Sequence, residues 1–254
     1  ICIFHTSAEI SLYIMDFGAE VLKIFSSIPQ VGDVVLLEEN NKVRSLLLMI
    51  EREINRRKEL FSKHGGSYIS YIKNSDEKMP LMMIILNGYE TFIESHGDYD
   101  DFFAHLVRES SKYGIVFVMT AISPSSVKTK ISQSFPNKIA TQLSDNFDYK
   151  FYLDAPEGLT PSKYFGRGII SMDGSAYEMQ SCLIAQKNLI NQCIITTFEK
   201  YAKTASKTPP IPVIPKVITS DTLSSYIDSI KNVPIGINIY DASVNKFDFT
   251  ANKI

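Results

Sequence analysis

The sequence predicts an α/β fold: a mainly parallel sheet sandwiched by helices, with a β-hairpin towards its carboxyl end. Three observations carry this expectation. Apolar runs of strand length recur at Ser11–Phe17, Leu81–Leu86 and Ile115–Ala121, too evenly apolar for strands with one wet face. Segments of helical periodicity alternate with them. Gly166–Ser171 and Ala176–Ile184 are joined across Asp173-Gly174, a pair suited to a tight hairpin turn.

Taken in order, the first residues read as the tail of a helix from a longer protein, since Ile1 is not a natural start. Ser11–Phe17 is a buried strand closing on Asp16. Asn41–Lys63 follows as an amphipathic helix with Val43, Leu46, Leu47, Ile50 and Ile54 on one stripe and Arg44, Glu51, Arg52, Arg56 and Arg57 towards water. Leu81–Leu86 ends abruptly at Asn87-Gly88. Tyr99–Tyr113 is a second amphipathic helix capped by Gly114. Ile115–Ala121 is a strand, Ser125–Phe135 a short helix and Lys138–Leu143 a further strand. The expected sheet therefore comprises Leu12–Asp16, Met82–Leu86, Ile115–Thr120 and Lys138–Thr141.

Composition bounds the function. At 254 residues with 44% hydrophobic content the chain can bury a large core, and its net charge of −2 gives no bulk attraction to nucleic acid or anionic membrane. Arg52, Arg56, Arg57 and Lys58 alternate with Glu51, Glu53 and Glu59, which reads as a solvated helix face and not a nucleic-acid tract. Cys2, Cys182 and Cys193 form no disulfide framework, and His5, His64, His96 and His105 have no metal-ligand spacing, so no metal is assigned. No apolar run approaches the roughly 18 residues of a membrane helix.

The character changes near residue 205. Lys207–Pro215 (KTPPIPVIP) holds four of the eleven prolines and should be extended and stiff. Thr219–Lys231 reads as a short helix, and Val233–Phe249 returns to strand alternation with a turn at Asp241–Asn245. The expected organisation is a module over 1–205, a proline-rich linker over 206–232, and strands opening a further unit over 233–254.

Taken together, LYIMDFGAEV, PLMMIILNGYETF, RESSKYGIVFVMTAISPSSVKTKISQSFPNKIATQLSD and LTPSKYFGRGIISMD, in that order over residues 11–185, resemble the FtsK/SpoIIIE family of P-loop motor ATPases. The likeness is nearest to the tandem ATPase-like modules of type VII secretion coupling proteins. It implies a P-loop NTPase-like (RecA/FtsK-like) fold. It also implies a nucleotide edge at Asp16, Asn87, Gly88 and Ile122, and contacts between modules at Arg108 and Arg167. In the family the strand ending at Leu86 carries an aspartate for Mg²⁺ and a glutamate that activates water; here those places read Asn87 and Gly88. The glutamine of the next strand's end falls at Ile122, and no G-x-x-x-x-G-K-[ST] occurs, its family position lying upstream of Ile1.

Each candidate has a plainer reading beside it. Asn87 could hold a Mg²⁺-bound water or be a strand-to-loop asparagine in a turn with Gly88. Asp16 could bind metal or cap the next turn. Glu90 reads as a solvated carboxylate. Arg108 could sense a neighbour's γ-phosphate or pair with Glu109 or Asp101 on its own helix, and Arg167 between two glycines could be a contact or a surface turn. The expectation is a degenerate ATPase-like module of a membrane-anchored type VII secretion motor, with no catalytic residue, acting in substrate docking and regulation of export. It needs no cofactor itself, although the resemblance leaves room for ATP with Mg²⁺ in the full-length protein. The alternatives are an ATP-hydrolysing motor domain with its phosphate loop outside these residues and, third, a DNA translocase. The resemblance implies adjacent ATPase modules and small helical-hairpin secretion substrates as partners. It implies no nucleic acid, membrane contact only through other regions, and a place at the cytoplasmic face of the cell membrane. Ile211, Val213 and Ile214 are expected to be buried as a strap, a candidate plug for a groove.

Overall fold

The computed structural model describes residues 1–182, 187–201, 206–214, 217–224, 226–227, 232–238, 242–248 and 250. The expected domain end near 205, parts of the 206–232 linker and of the helix at Thr219–Lys231, and Asp241 of the turn at Asp241–Asn245 lie outside them.

Four parallel strands form the main sheet: β1 (Ile10–Asp16), β2 (Val31–Leu36), β3 (Leu81–Asn87) and β4 (Ile115–Thr120), in the order β2-β1-β3-β4. Helix α1 (Asn40–Ser62) and helix α4 (Asp100–Ser110) cover one face, where Leu46, Leu47, Ile50, Phe103 and Leu106 meet Tyr13, Met15, Ile84 and Leu86. On the other face, Ile10, Leu12, Ile14, Val31 and Val34 pack against a 3₁₀ segment (Val21–Ser27) and Ile194. Ile194 belongs to α7 (Lys187–Tyr201), a helix the sequence reading did not mark. The chain moves from β1 outwards to β2 over one face and returns to β3 and β4 over the other. Right-handed crossovers require that switch of faces when direction across the sheet reverses.

The fourth parallel strand is a correction. Lys138–Thr141 does not join this sheet: β5 (Lys138–Ala140) pairs antiparallel with β6 (Arg167–Met172), which pairs with β7 (Ser175–Gln180). The parallel partner is β2, whose apolar run is broken by Gly32 and Asp33. Gly32 is needed there, because a Cβ would stand 2.5 Å from the Tyr13 ring and 2.6 Å from the Pro209 carbonyl oxygen. The β6–β7 hairpin turns as expected, with Asp173 and Gly174 both at positive φ (52° and 74°). Gly114 ends the α4 region at φ +69°. Ser125–Phe135 holds only a 3₁₀ turn (Pro124–Ser126) and α5 (Thr129–Ser132). The amino-terminal residues form turns and no helix.

Arg57 is the second correction. It does not face water but is 1% exposed. Its guanidinium donates to Tyr113 O (2.9 Å), Gly114 O (3.0 Å), Pro80 O (2.9 Å) and Glu53 Oε1 (2.6 Å). It ties α1 to the entries of β3 and β4. Burial pushes the Glu53 carboxyl up, but hydrogen bonds from Arg56 and Arg57 outweigh that and hold it below its ordinary value.

The proline-rich segment is docked. Thr208 N–H donates to Pro29 O (2.8 Å), Thr208 Oγ1 to Gln30 O (3.0 Å), and Tyr13 Oη to Pro209 O (2.9 Å). Ile211 is 3% exposed and belongs to the main core. Ile214 is half-buried, whereas Val213 is 39% exposed, so the expectation of three buried side chains fails at Val213. With three residues per turn in an extended proline-rich backbone, Ile211 and Ile214 share one side and Val213 does not. Beyond it, α8 (Ser220–Ser224) precedes the antiparallel pair β8 (Asn232–Ile237) and β9 (Val244–Asp248).

Candidate functional site

Parallel pairing brings the carboxyl ends of β1, β3 and β4 into line: Asp16 is level with Asn87, and Asn87 with Thr120. The loop after β1 leaves towards one face and the loop after β3 towards the other. Such a switch point opens a crevice at the carboxyl edge of a parallel sheet and is where these folds take ligands.

Here the crevice is filled by the protein's own groups. Asp16 is fully buried; its Oδ1 accepts from Asn87 Nδ2 (2.9 Å) and its Oδ2 from Leu22 N–H (2.7 Å). Asn87 Oδ1 accepts from Thr120 Oγ1 (2.8 Å), whose oxygen accepts from Gly88 N–H (3.0 Å). Phe17 N–H donates to Asn87 O (2.9 Å). A Cβ on Gly18 would lie 2.5 Å from Asn87 Nδ2, and one on Gly88 would lie 3.1–3.2 Å from the backbone of Phe17 and Gly18. The β1 loop therefore sits directly on the β3 end. Both ends of the Asn87 amide are thus engaged within the protein.

Gly88 at φ 91° starts α3 (Tyr89–His96), which sequence reading missed although Tyr89, Phe92 and His96 are spaced as one buried helix face. His96 stacks on Phe17 and Phe92 (ring centroids 5.6 and 5.8 Å apart) and its Nε2 meets Asn40 Oδ1 at 3.0 Å; burial pushes its pKa down.

Glu90 is not the solvated carboxylate expected. Its Oε1 accepts from Ile122 N–H (2.6 Å), Ser123 N–H (3.2 Å) and Ser126 Oγ (2.6 Å). Burial pushes its pKa up, but these donors outweigh it and the carboxyl lies below its ordinary value. Ile122 contributes only its amide; the residue is 88% exposed. No sequence signal marked Thr120 or Ser126, since a single hydroxyl at a strand end or in a loop carries none.

Arg108 and Arg167 are not brought to this edge. Arg108 is exposed, with Glu109 at 3.9 Å and His105 at 3.4 Å on its own helix. Arg167 faces Glu178 at 3.9 Å. The glycines beside it have local duties: Gly166 has φ +79°, and a Cβ on Gly168 would meet Ala140 O at 2.5 Å, so β5 and β6 could not pair.

A nucleotide with Mg²⁺, which the fold implies, would meet here an Asp16 whose two oxygens each accept a hydrogen bond, the neutral amide of Asn87, and Glu90, one of whose oxygens has no partner. Among the described residues no group of three His, Cys, Asp or Glu could hold a metal, and no helix is long and apolar enough to cross a membrane. A cleft of about 500 Å³ lies away from this edge, between α1 and the strap, lined among others by Ser11, Tyr13, Met49, Arg52, Met82 and Pro209.

The FtsK/SpoIIIE family model matches residues 1–148. The chain is 26% identical to the ESX secretion system protein YukB of Bacillus subtilis over 98% of its own length, but spans only 17% of that protein. Among solved structures it resembles EssC ATPases 2 and 3 from Geobacillus thermodenitrificans, with a TM-score of 0.83 at 19% identity, covering 98% of this chain and 49% of that one. It also resembles Thermomonospora curvata EccC ATPases 2 and 3 in complex with a signal sequence peptide, with a TM-score of 0.74 at 22% identity, covering 98% and 47%. The two structural likenesses bear out the P-loop ATPase-type fold.

Proposed function

Since the chain belongs to the FtsK/SpoIIIE family, we propose that it is a nucleotide-independent ATPase-like module of a membrane-anchored type VII secretion motor, working at the cytoplasmic face in docking and in regulation of export. The observation that carries this is the Asp16–Asn87–Thr120 chain of hydrogen bonds, which uses the groups a hydrolytic site would need for metal and water. Its relatives are type VII secretion proteins, and a neighbour's complex with a signal sequence peptide supports secreted small helical-hairpin proteins as the substrates. Adjacent modules of the same polypeptide are the other proposed partners, because a matching chain holds two such ATPases.

Steady-state phosphate release is the test. The 254-residue chain is expected to show no Mg²⁺-dependent ATP binding and no turnover; hydrolysis near about 1 s⁻¹, ordinary for enzymes, would overturn the proposal. A second reading, a hydrolysing domain completed by a phosphate loop outside residues 1–254, is favoured by one observation. Met82 N–H donates to Gly114 O, which fixes the ladder so that Ile115, Phe117 and Met119 turn their backbone groups outwards. Among the described residues no strand pairs there, and Val118 is 44% exposed. Turnover by a longer polypeptide, mapped to this module, would establish that reading.

The strap is the proposed plug. Ile211→Ser should destabilise the chain by about 2 kcal/mol and loosen the segment, whereas Val213→Ser should change stability by less than about 0.5 kcal/mol. Thermal melts of the two variants check the contrast, and a tail peptide of a secreted substrate should bind Ile211→Ser more tightly than wild type. Equal affinity would remove the plug role while leaving the docking geometry intact.

A further inference from the structure

We propose that Glu90 is an intramolecular latch, fastening the loop 121–127 to α3 beside the carboxyl edge of the sheet, so that losing this contact frees the loop. The proposal rests on the nucleotide-independent reading above and concerns regulation of the same edge.

The loop after β4 is fastened to α3 by one carboxylate oxygen that takes two consecutive backbone amides and a hydroxyl. Bonds to an ionised acceptor are roughly twice as strong as neutral ones. Ser126 Oγ also donates to Ser123 O (2.6 Å), which curls the loop around the carboxylate. The other carboxylate oxygen, Oε2, is buried and has no partner. A bare buried acceptor opposes closure, so the contact is balanced between three donors on one oxygen and desolvation of the other. Arg57, with donors on three carbonyls and a carboxylate, is by contrast a permanent tie.

Position makes Glu90 more than a local bond. It is the second residue of α3, whose start is tied to β4 through Gly88 N–H and Thr120. Further along the helix, Phe92 and His96 stack against Phe17 of the β1 loop. A tilt of α3 would therefore reach both loops flanking Asn87.

Amide hydrogen exchange on the 254-residue chain tests this. In wild type, Ile122 and Ser123 should be protected even though the Ile122 side chain is exposed. In Glu90→Ala their exchange should rise by about tenfold or more, with Ile84 and Ile85 unchanged; Glu90→Gln should fall between, because its amide oxygen still accepts. Unchanged exchange at Ile122 and Ser123, or a rise shared equally by Ile84 and Ile85, would overturn the latch. If Glu90→Ala does not fold, Ser126→Ala decides: it must speed exchange at Ile122 and Ser123 relative to the core, and failure to do so rejects the proposal. ATP binding by the wild-type chain would remove the proposed function yet leave this exchange pattern as it stands, so the two failures are distinguishable.

Discussion

Replacing Arg57 by Ala is expected to lower the stability of the chain by about 3–5 kcal/mol, the cost of breaking a buried charged network from one side. The guanidinium satisfies the carbonyls of Pro80, Tyr113 and Gly114, which sit where β3 and β4 begin. Without it those carbonyls lose their donor and Glu53 keeps only Arg56. A urea midpoint followed by circular dichroism reads the loss directly, and the melting temperature should fall on the order of 10 °C. Arg57→Lys should recover only part, because one ammonium cannot span a fork that reaches three carbonyls and a carboxylate. A change below about 1 kcal/mol for Arg57→Ala would show that water takes over these carbonyls and that the residue is a surface arginine after all.

That residue also shows where reading the sequence stops. Its neighbours Arg56 and Lys58 and the glutamates around them make a solvated face the natural expectation, and nothing in the pattern separates Arg57 from them. Its burial is decided by carbonyls 23 to 57 residues away in sequence. The strands of the ligand edge were legible because fully covered parallel strands are evenly apolar, as at Leu81–Leu86. β2 was not, because Gly32 and Asp33 interrupt it for reasons visible only in the fold: close passage of Tyr13 and Pro209. Asp16, Asn87 and Gly88 were singled out from the strand ends and the family likeness. The hydroxyls of Thr120 and Ser126 were not, since their importance comes from strand register and loop curl. Glu90 was seen but undervalued, because a carboxylate just past a strand end carries no mark of the amides that will surround it.

Asn87→Asp should be destabilising at neutral pH, by about 3 kcal/mol, although it places at this strand end the acid that the family resemblance implies. Asn87 Nδ2 lies 2.9 Å from Asp16 Oδ1, and Asp16 is fully buried. The exchange turns a donor-acceptor pair into two carboxylates, one of which must keep its proton well above the ordinary carboxylate range. A folded-state pKa raised above the unfolded value means that stability is intact below about pH 4 and is lost as pH rises towards the raised value. The variant should therefore approach wild-type stability in acid and fall away from it at pH 7, as urea midpoints across that range would show. The double change Asp16→Asn with Asn87→Asp puts one amide and one carboxylate back in contact and should recover most of the loss. Equal stability of Asn87→Asp and wild type at pH 7 without divalent cations would mean that the two side chains do not meet. Recovery by Mg²⁺ alone would carry a different consequence. Two carboxylates here would then hold the ion, and metal binding at this edge would turn on the exchange of an amide for a carboxylate at residue 87.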